Sequence, residues 1–488
     1  MTIGTNQQVS CFGSHDHNQA RRRAAESLPV GYGAAAAILL AALMLPACTG
    51  NSRKPLVVPI IIFGVCAAAL AVWLAVVSEN SCEQVRSSGL WKSILAQLTP
   101  AVCLTAAFPA VMGVLGTSYV GSVSVATLVL ASSLATPWLS QIVCAPLFTE
   151  LSDASEESEH ASLESRWLSR WPYLAFCSTP IAIAFGVGVG LVLNWNHVAI
   201  AALVALCTLN SLFSQSTVVG ILQRNYLLWA TAWAAYALTL IAFPRIWFMP
   251  PVAGLLTQLV YISARRTEFS RPRRTPRILA RFSKGALVGG VLWSDKLFFF
   301  LRSGPHFQAQ FVFLAVLPAI VTYGYYFVRL APRLDRIVTE MRTTMEKDSV
   351  TRSAARLRGL AHQVEATMVQ VACVGGILCL SGVVTVSLSV PSVSLLYASM
   401  AVASTSFLII TVHLYKLEYV GRVDLMYKFA GAHLVLVAAA ILVGAPGSTT
   451  YIVASALSAG VAIATAHSAL AAWRLPEYAL FWRHATQW

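Results

Sequence analysis

Charge is scarce in this chain. Only 11% of its 488 residues are charged and 57% are hydrophobic, whereas soluble domains run near about 25% charged. That shortage excludes an ordinary soluble domain and implies a polytopic membrane protein, whose size counts helices rather than a water-excluding core. The spacing that metal or disulfide chemistry needs is also missing, because none of the ten cysteines forms a C-x-x-C pair. Most of them (Cys66, Cys103, Cys144, Cys177, Cys207, Cys373, Cys379) lie inside apolar segments, where cysteine serves as a small packing residue. There is no Walker A lysine motif, no H-E-x-x-H and no G-x-S-x-G. The reading is therefore of a non-enzyme that needs no metal and no cofactor.

What is plentiful is long apolar runs. Spans of about 20 apolar residues mark transmembrane helices, and fourteen are read here: 31–48, 56–77, 92–115, 119–147, 171–193, 197–221, 224–243, 246–264, 285–301, 308–330, 366–388, 391–414, 424–444 and 449–473. Pro250 and Pro251 suit a helix's first turn but would break its interior, so the eighth span starts near them or a few residues later. The stretch LMLPACTG (43–50) has the outline of a lipoprotein signal, with Cys48 as its cleavage residue. Pro46 fits that poorly, and a first membrane helix ending at Cys48 is the plainer reading.

The net charge of +14 resides in residues that flank the spans, where Lys and Arg set orientation. That distribution argues against nucleic acid as a partner. With the amino terminus inside, the cytoplasmic segments collect Arg21–Arg23, Arg86, Arg166, Arg170, Arg224 and the run RRTEFSRPRRTPRILARFSK at 265–284. Arg333 through Arg358, Lys416, Arg422, Lys428, Arg474 and Arg483 join them, while the outer loops keep Arg53, Lys54, Arg245 and Arg302. The expected location is the cytoplasmic membrane, with both termini cytoplasmic. The outer loops then hold no Asp or Glu. A membrane glycosyltransferase using lipid-linked donors needs an outward carboxylate, so that class is disfavoured.

The organisation follows. A tail at 1–30 precedes an additional membrane hairpin at 31–77, then a first six-helix bundle at 90–264. The basic cytoplasmic linker 265–284 leads to a second six-helix bundle at 285–475 and a tail at 476–488. This is an all-α integral membrane chain in which twelve of the fourteen helices form two bundles, an arrangement common in secondary transporters. Residues 148–170 are acidic and serine-rich and read as a solvated loop. In 331–362, Leu334, Ile337, Met341 and Met345 fall at helical spacing, so this segment reads as a cytoplasmic helix extending the span 308–330 or lying on the membrane surface.

One span carries charge inside it. KGALVGGVLWSDKLFFFL (284–301) places Asp295 and Lys296 near its middle. A charge at that depth costs roughly 2.5–3.5 kcal/mol on insertion scales, so such residues usually line a path for solute or ions. As helix neighbours they point about 100° apart and are not expected simply to neutralise each other, so at least one should meet another helix or a wet cavity. The competing reading is a structural ion pair tying bundles together, or Lys296 snorkelling outward past Phe298–Phe300. Arg302 stands at the outer end of this helix, as exit guide or plain interfacial anchor. Tyr323, Tyr325 and Tyr326, with Arg329 at the inner entrance, offer an aromatic and polar wall suited to sugar rings. Gln141, Asn210, Gln215, Gln258, His413 and His433 are secondary polar candidates, more often glue between helices than ligands. The GVGVG run at 186–190 allows close helix approach and is not a nucleotide loop, because nothing strand-like precedes it.

These elements resemble a known pattern. The W-x-D-K-x-x-F element (Trp293, Asp295, Lys296, Phe299) and FLAVLPAIVTYGYYFVRL (313–330), followed by a long charged cytoplasmic helix, are similar to PelG-type exopolysaccharide transporters. These belong to the multidrug/oligosaccharidyl-lipid/polysaccharide exporter superfamily. In the first half, Leu151-Ser152-Asp153 and QRNYLLWATAWAAYALTL (223–240) are also similar, so the resemblance covers about residues 90–475. The helices at 31–77 precede it, and the family's glycine-containing amino-terminal signature is missing. The resemblance implies export of a polysaccharide or lipid-linked glycan, by alternating access of the two bundles or by threading of the growing polymer, beside a cytoplasmic glycosyltransferase and other synthase subunits, with membrane lipids as surroundings. The alternatives are a lipid-linked oligosaccharide or drug flippase of the same superfamily, and a non-transporting membrane scaffold of a synthase complex.

Overall fold

The computed structural model describes residues 99–474, apart from 101–102, 105–106, 109, 156–159, 223–224, 264–277, 305–306, 308, 335–336, 338–349 and 445–447. The two tails, the hairpin 31–77 with Cys48, most of the basic linker, and Met341 and Met345 lie outside the described residues.

A helical stretch over 110–117 leads into a small hairpin, Tyr119–Val120 paired antiparallel with Val123–Ser124. Its turn needs Gly121, which has φ +62° and lies so close to Asn196 that a Cβ would stand 2.2 Å from that side chain. Helix α1 (Val125–Ser155) follows, capped where Ser124 Oγ accepts the Thr127 amide. The chain continues through α2 (His160–Leu193), α3 (His197–Leu222), α4 (Tyr226–Ala242) and α5 (Met249–Ser263). Then come α6 (Ile278–Ser303), α7 (Ala309–Tyr325) running into a π-helical turn Tyr326–Leu330, α8 (Val350–Ser389), α9 (Ser394–Tyr419), α10 (Val423–Val443) and α11 (Ser448–Trp473).

Among the described residues seven helices are long and apolar enough to cross a membrane: α1, α2, α3, α8, α9, α10 and α11. Shorter apolar helices lie in α4, α5 and α7. Their outer faces are greasy, with Phe176 76% and Val443 83% exposed. Water would not tolerate so much apolar surface, whereas lipid does, and a helix satisfies its own backbone there. Helices α1 and α9 are the most inward, and α2 and α10 are among the most lipid-facing. The chain is thus an all-α membrane protein.

The helices fall into two neighbourhoods. Helix α3 packs on α1, α2, α4 and α5, while α9 packs on α6, α7, α8, α10 and α11. Helices α1 and α6 join them, and glycine explains why they can lie so close. A Cβ on Gly285 would stand 2.5 Å from the Gln141 carbonyl, and one on Gly289 would stand 2.7 Å from the Gln141 Cβ. This G-x-x-x-G spacing lets backbones touch where two lipid-soluble helices gain nothing from the hydrophobic effect. Trp138 Nε1 fastens the contact by donating to the Ala286 carbonyl at 2.7 Å. Gly186 and Gly190 of the GVGVG run do the same for α2 against Val204 and Ile200 of α3.

Several boundaries differ from the sequence expectation. The fourth span begins at Val125 rather than 119, because the glycine turn consumes its first residues. The stretch 148–170 is largely not a loop: α1 runs to Ser155 and α2 starts at His160, since no proline or glycine interrupts it there. The end of the basic linker is already helix from Ile278. Of the segment 331–362, the described first residues continue α7 and those from Val350 belong to α8. Leu334 is nonetheless buried and Ile337 packs on the core, as their helical spacing requires. Pro250 and Pro251 do sit in the first turn of α5.

Gly285→Val should force α1 and α6 apart, lowering stability by about 1–3 kcal/mol. Gly188→Val, which meets nothing within 4 Å, is the control. Thermal unfolding of the detergent-solubilised protein reads both, and equal melting points would sink this account of the contact.

Candidate functional site

Asp295 and Lys296 sit on α6, seven and six residues before Arg302 of its last turn, which puts them about 10 Å along the axis from that end. They are 1% and 2% exposed. Lys296 Nζ donates to Asp295 Oδ1 at 2.8 Å and Oδ2 at 3.1 Å, so the neighbours do neutralise each other. The 100° offset expected from the helix is overcome by the four-carbon lysine stem, which curls back to the carboxylate because nothing wetter is within reach. Snorkelling past Phe298–Phe300 is accordingly not what Lys296 does.

The surroundings come from one residue each of α11 and α9 and from the backbone of α6 itself. Tyr451, in the first turn of α11, donates its hydroxyl to Asp295 Oδ2. Phe407 of α9 turns its ring face to the ammonium, 4.5 Å from the centroid, a cation–π contact strengthened by desolvation. Leu292 O lies 3.5 Å from the same nitrogen. Phe407 also meets His433 of α10 edge-on at 4.8 Å, and His433 Nε2 lies 3.4 Å from Ser458 Oγ of α11. His433 Nδ1 is buried and has no hydrogen-bond partner among the described residues. These contacts all lie among α6, α9, α10 and α11, so the pair ties helices within one neighbourhood and not the two neighbourhoods to each other.

The other predicted residues are placed elsewhere. Exposed Arg302 donates to the Gly444 carbonyl at 3.2 Å, where it caps the end of α10 in the manner of an anchor. Tyr325 is buried in an apolar cluster with Val371, Val374, Leu408 and Val412, and Arg329 lies in the π-helical turn just after it. Gln141 presses on the α6 glycines. Asn210 donates to Ser132 Oγ at 3.3 Å, Gln215 to Ser178 Oγ at 2.6 Å and Gln258 to the Leu228 carbonyl at 3.0 Å, each joining two helices. His413 instead turns Nδ1 onto Ile409 O of its own helix at 2.6 Å.

No protein-family model, no curated protein and no solved structure matches this chain. The site must be read from its own chemistry.

Sequence reasoning missed Tyr451, Phe407 and Ser458, because each is an ordinary aromatic or small polar residue whose partner lies far away along the chain. It also counted Lys416 as a plain cytoplasmic charge. Lys416 is buried, with its ammonium 5.3 Å from the rings of both Tyr326 and Tyr419, and its carbonyl accepts from Trp473 Nε1 at 3.1 Å. Beside it the rings of Tyr323 and Tyr415 both pack on Phe327, at 4.5 and 5.6 Å between centroids. The proposed tyrosine wall is therefore a packed layer between α7 and α9. At the same end of α9, Glu418 pairs with Lys284 of α6.

Removing one member of a buried pair costs about 3–5 kcal/mol, because the other charge is left without a partner. Asp295→Asn and Lys296→Met should each lower stability by that order, while the double variant loses much less than the sum. Tyr451→Phe should cost about 1.5–3 kcal/mol, the worth of a hydrogen bond to a charged group. Additive losses in a double-mutant cycle of thermal melts would show that the two side chains are not coupled.

Proposed function

We propose that this chain is a transporter that moves an exopolysaccharide or lipid-linked glycan outward across the cytoplasmic membrane. The observation that carries the reading is the Asp295–Lys296 pair, two charges held in the apolar interior of a membrane protein and contacted from α9 and α11. Intramembrane charges are expensive and are retained where something must pass them. The exporter-like W-D-K-F element on the same helix supplies the class of cargo by resemblance.

In this reading fourteen spans cross the membrane, and twelve form two six-helix bundles, supported by the separate neighbourhoods centred on α3 and α9. The bundles rock about the α1–α6 contact so that the space between them opens alternately to each side. Both termini are cytoplasmic, as the Lys and Arg asymmetry indicates, and a cytoplasmic glycosyltransferase supplies the cargo. Asp295 and Lys296 form the gate: opening requires their contacts with Tyr451 and Phe407 to be exchanged for contacts with hydroxyl-rich cargo.

The completeness of the pairing favours a second reading, a non-transporting scaffold in which the pair only shapes the second neighbourhood. Cells carrying Asp295→Asn/Lys296→Met in place of their own copy separate the two. A transporter loses extracellular glycan by about tenfold or more, the scale of one lost buried contact, at unchanged protein level and unchanged assembly with its partners. Undiminished glycan in that variant, with assembly lost only on altering 265–284, would establish the scaffold.

A further inference from the structure

The ammonium of Lys296 is held as a dissolved metal cation would be. Its ligands are both oxygens of a buried carboxylate at 2.8 and 3.1 Å, a backbone carbonyl oxygen at 3.5 Å and the face of an aromatic ring at 4.5 Å. Oxygen donors with one negative charge, closed by a π face, suit a monovalent cation of low charge density. The Tyr451 hydroxyl also donates to the carboxylate, and Asp295 and Lys296 are each at least 98% buried. Among the described residues no group of three or more acidic, histidine or cysteine side chains could hold a metal ion, so a cation here would rest on the single Asp295 carboxylate.

We infer that Lys296 is a tethered counter-cation: its amine fills a monovalent-cation site built around Asp295, so the native protein binds no sodium or potassium there. Removing the amine while keeping Asp295 opens that site to a small alkali cation. The four-carbon stem fixes the charge to α6, which makes the occupied state permanent and independent of the surrounding salt. The consequence for function rests on the transport reading, namely that cargo movement draws no alkali-cation gradient through this site. Binding itself needs no transport, so the two ideas fail separately.

Melting of the purified full-length protein tests it, in sodium, potassium or lithium chloride against choline chloride at equal concentration and a pH of about 8, where carboxylates are ionised. The wild-type midpoint should be the same in all four salts. Lys296→Met and Lys296→Ala should melt about 3 °C or more higher in at least one alkali salt than in choline. That gain should vanish in Asp295→Asn/Lys296→Met. A wild-type midpoint raised by an alkali cation and returned to the choline value by Asp295→Asn overturns the inference. So do folded Lys296 variants with no alkali-specific gain. If neither Lys296 variant folds, the wild-type series decides alone: salt-independent melting upholds the tethered cation and alkali-dependent melting refutes it.

Discussion

A carboxylate sealed from water must be answered by the protein, and in this chain that requirement fixes how four helices meet. Moving a carboxylate-sized ion into a medium of low dielectric costs several kcal/mol even after relaxation. Asp295 recovers it from the Lys296 ammonium and the Tyr451 hydroxyl, and the ammonium in turn from the Phe407 ring. Each of those contacts ties α6 to itself, to α11 or to α9. Phe407 then passes the constraint to His433 of α10. Lipid offers these groups nothing, so a shift of α11 or α9 strips the pair of the Tyr451 hydroxyl or the Phe407 ring.

The contact between the two neighbourhoods is made quite differently. It rests on the missing side chains of Gly285 and Gly289, one indole donor from Trp138 and the edge-to-face contact of that indole with Phe298. Backbone against backbone is a smooth surface, and such a surface permits rocking in a way that interlocked side chains do not. The first neighbourhood has neutral links between helices at Asn210–Ser132 and Gln215–Ser178. The Asp295–Lys296 pair lies in the second, on the other side of the α1–α6 contact.

Much of the fold was legible because its signal is local. Apolar length marked the helices, and the Pro250–Pro251 pair located the first turn of α5. The exceptions share one cause. A helix that outruns its membrane span, as α1, α2 and α8 do, shows no apolar run to announce it. The glycine turn at 121 hides inside a continuous greasy stretch. At the site, Asp295 and Lys296 stood out because charge in oil is rare. Their partner Tyr451 did not, since a tyrosine near a helix start is unremarkable until the fold sets it against a residue 156 positions earlier in the chain. Lys416 was visible but misjudged: a lysine at the edge of a span looks like a topology marker, and only the rings of Tyr326 and Tyr419 reveal that it is buried.

Helix α4 has firm ends, with Asn225 capping one and Phe243 the other, and its 17 residues rise about 25 Å. A bilayer's hydrocarbon layer is about 30 Å thick. Beyond α4 the chain turns at once through exposed Phe243, Ile246 and Phe248, which do not belong among headgroups. Those residues carry the apolar surface past the helix end, so the shortfall of α4 against the hydrocarbon layer is made up by the turn that follows it and not by a longer helix.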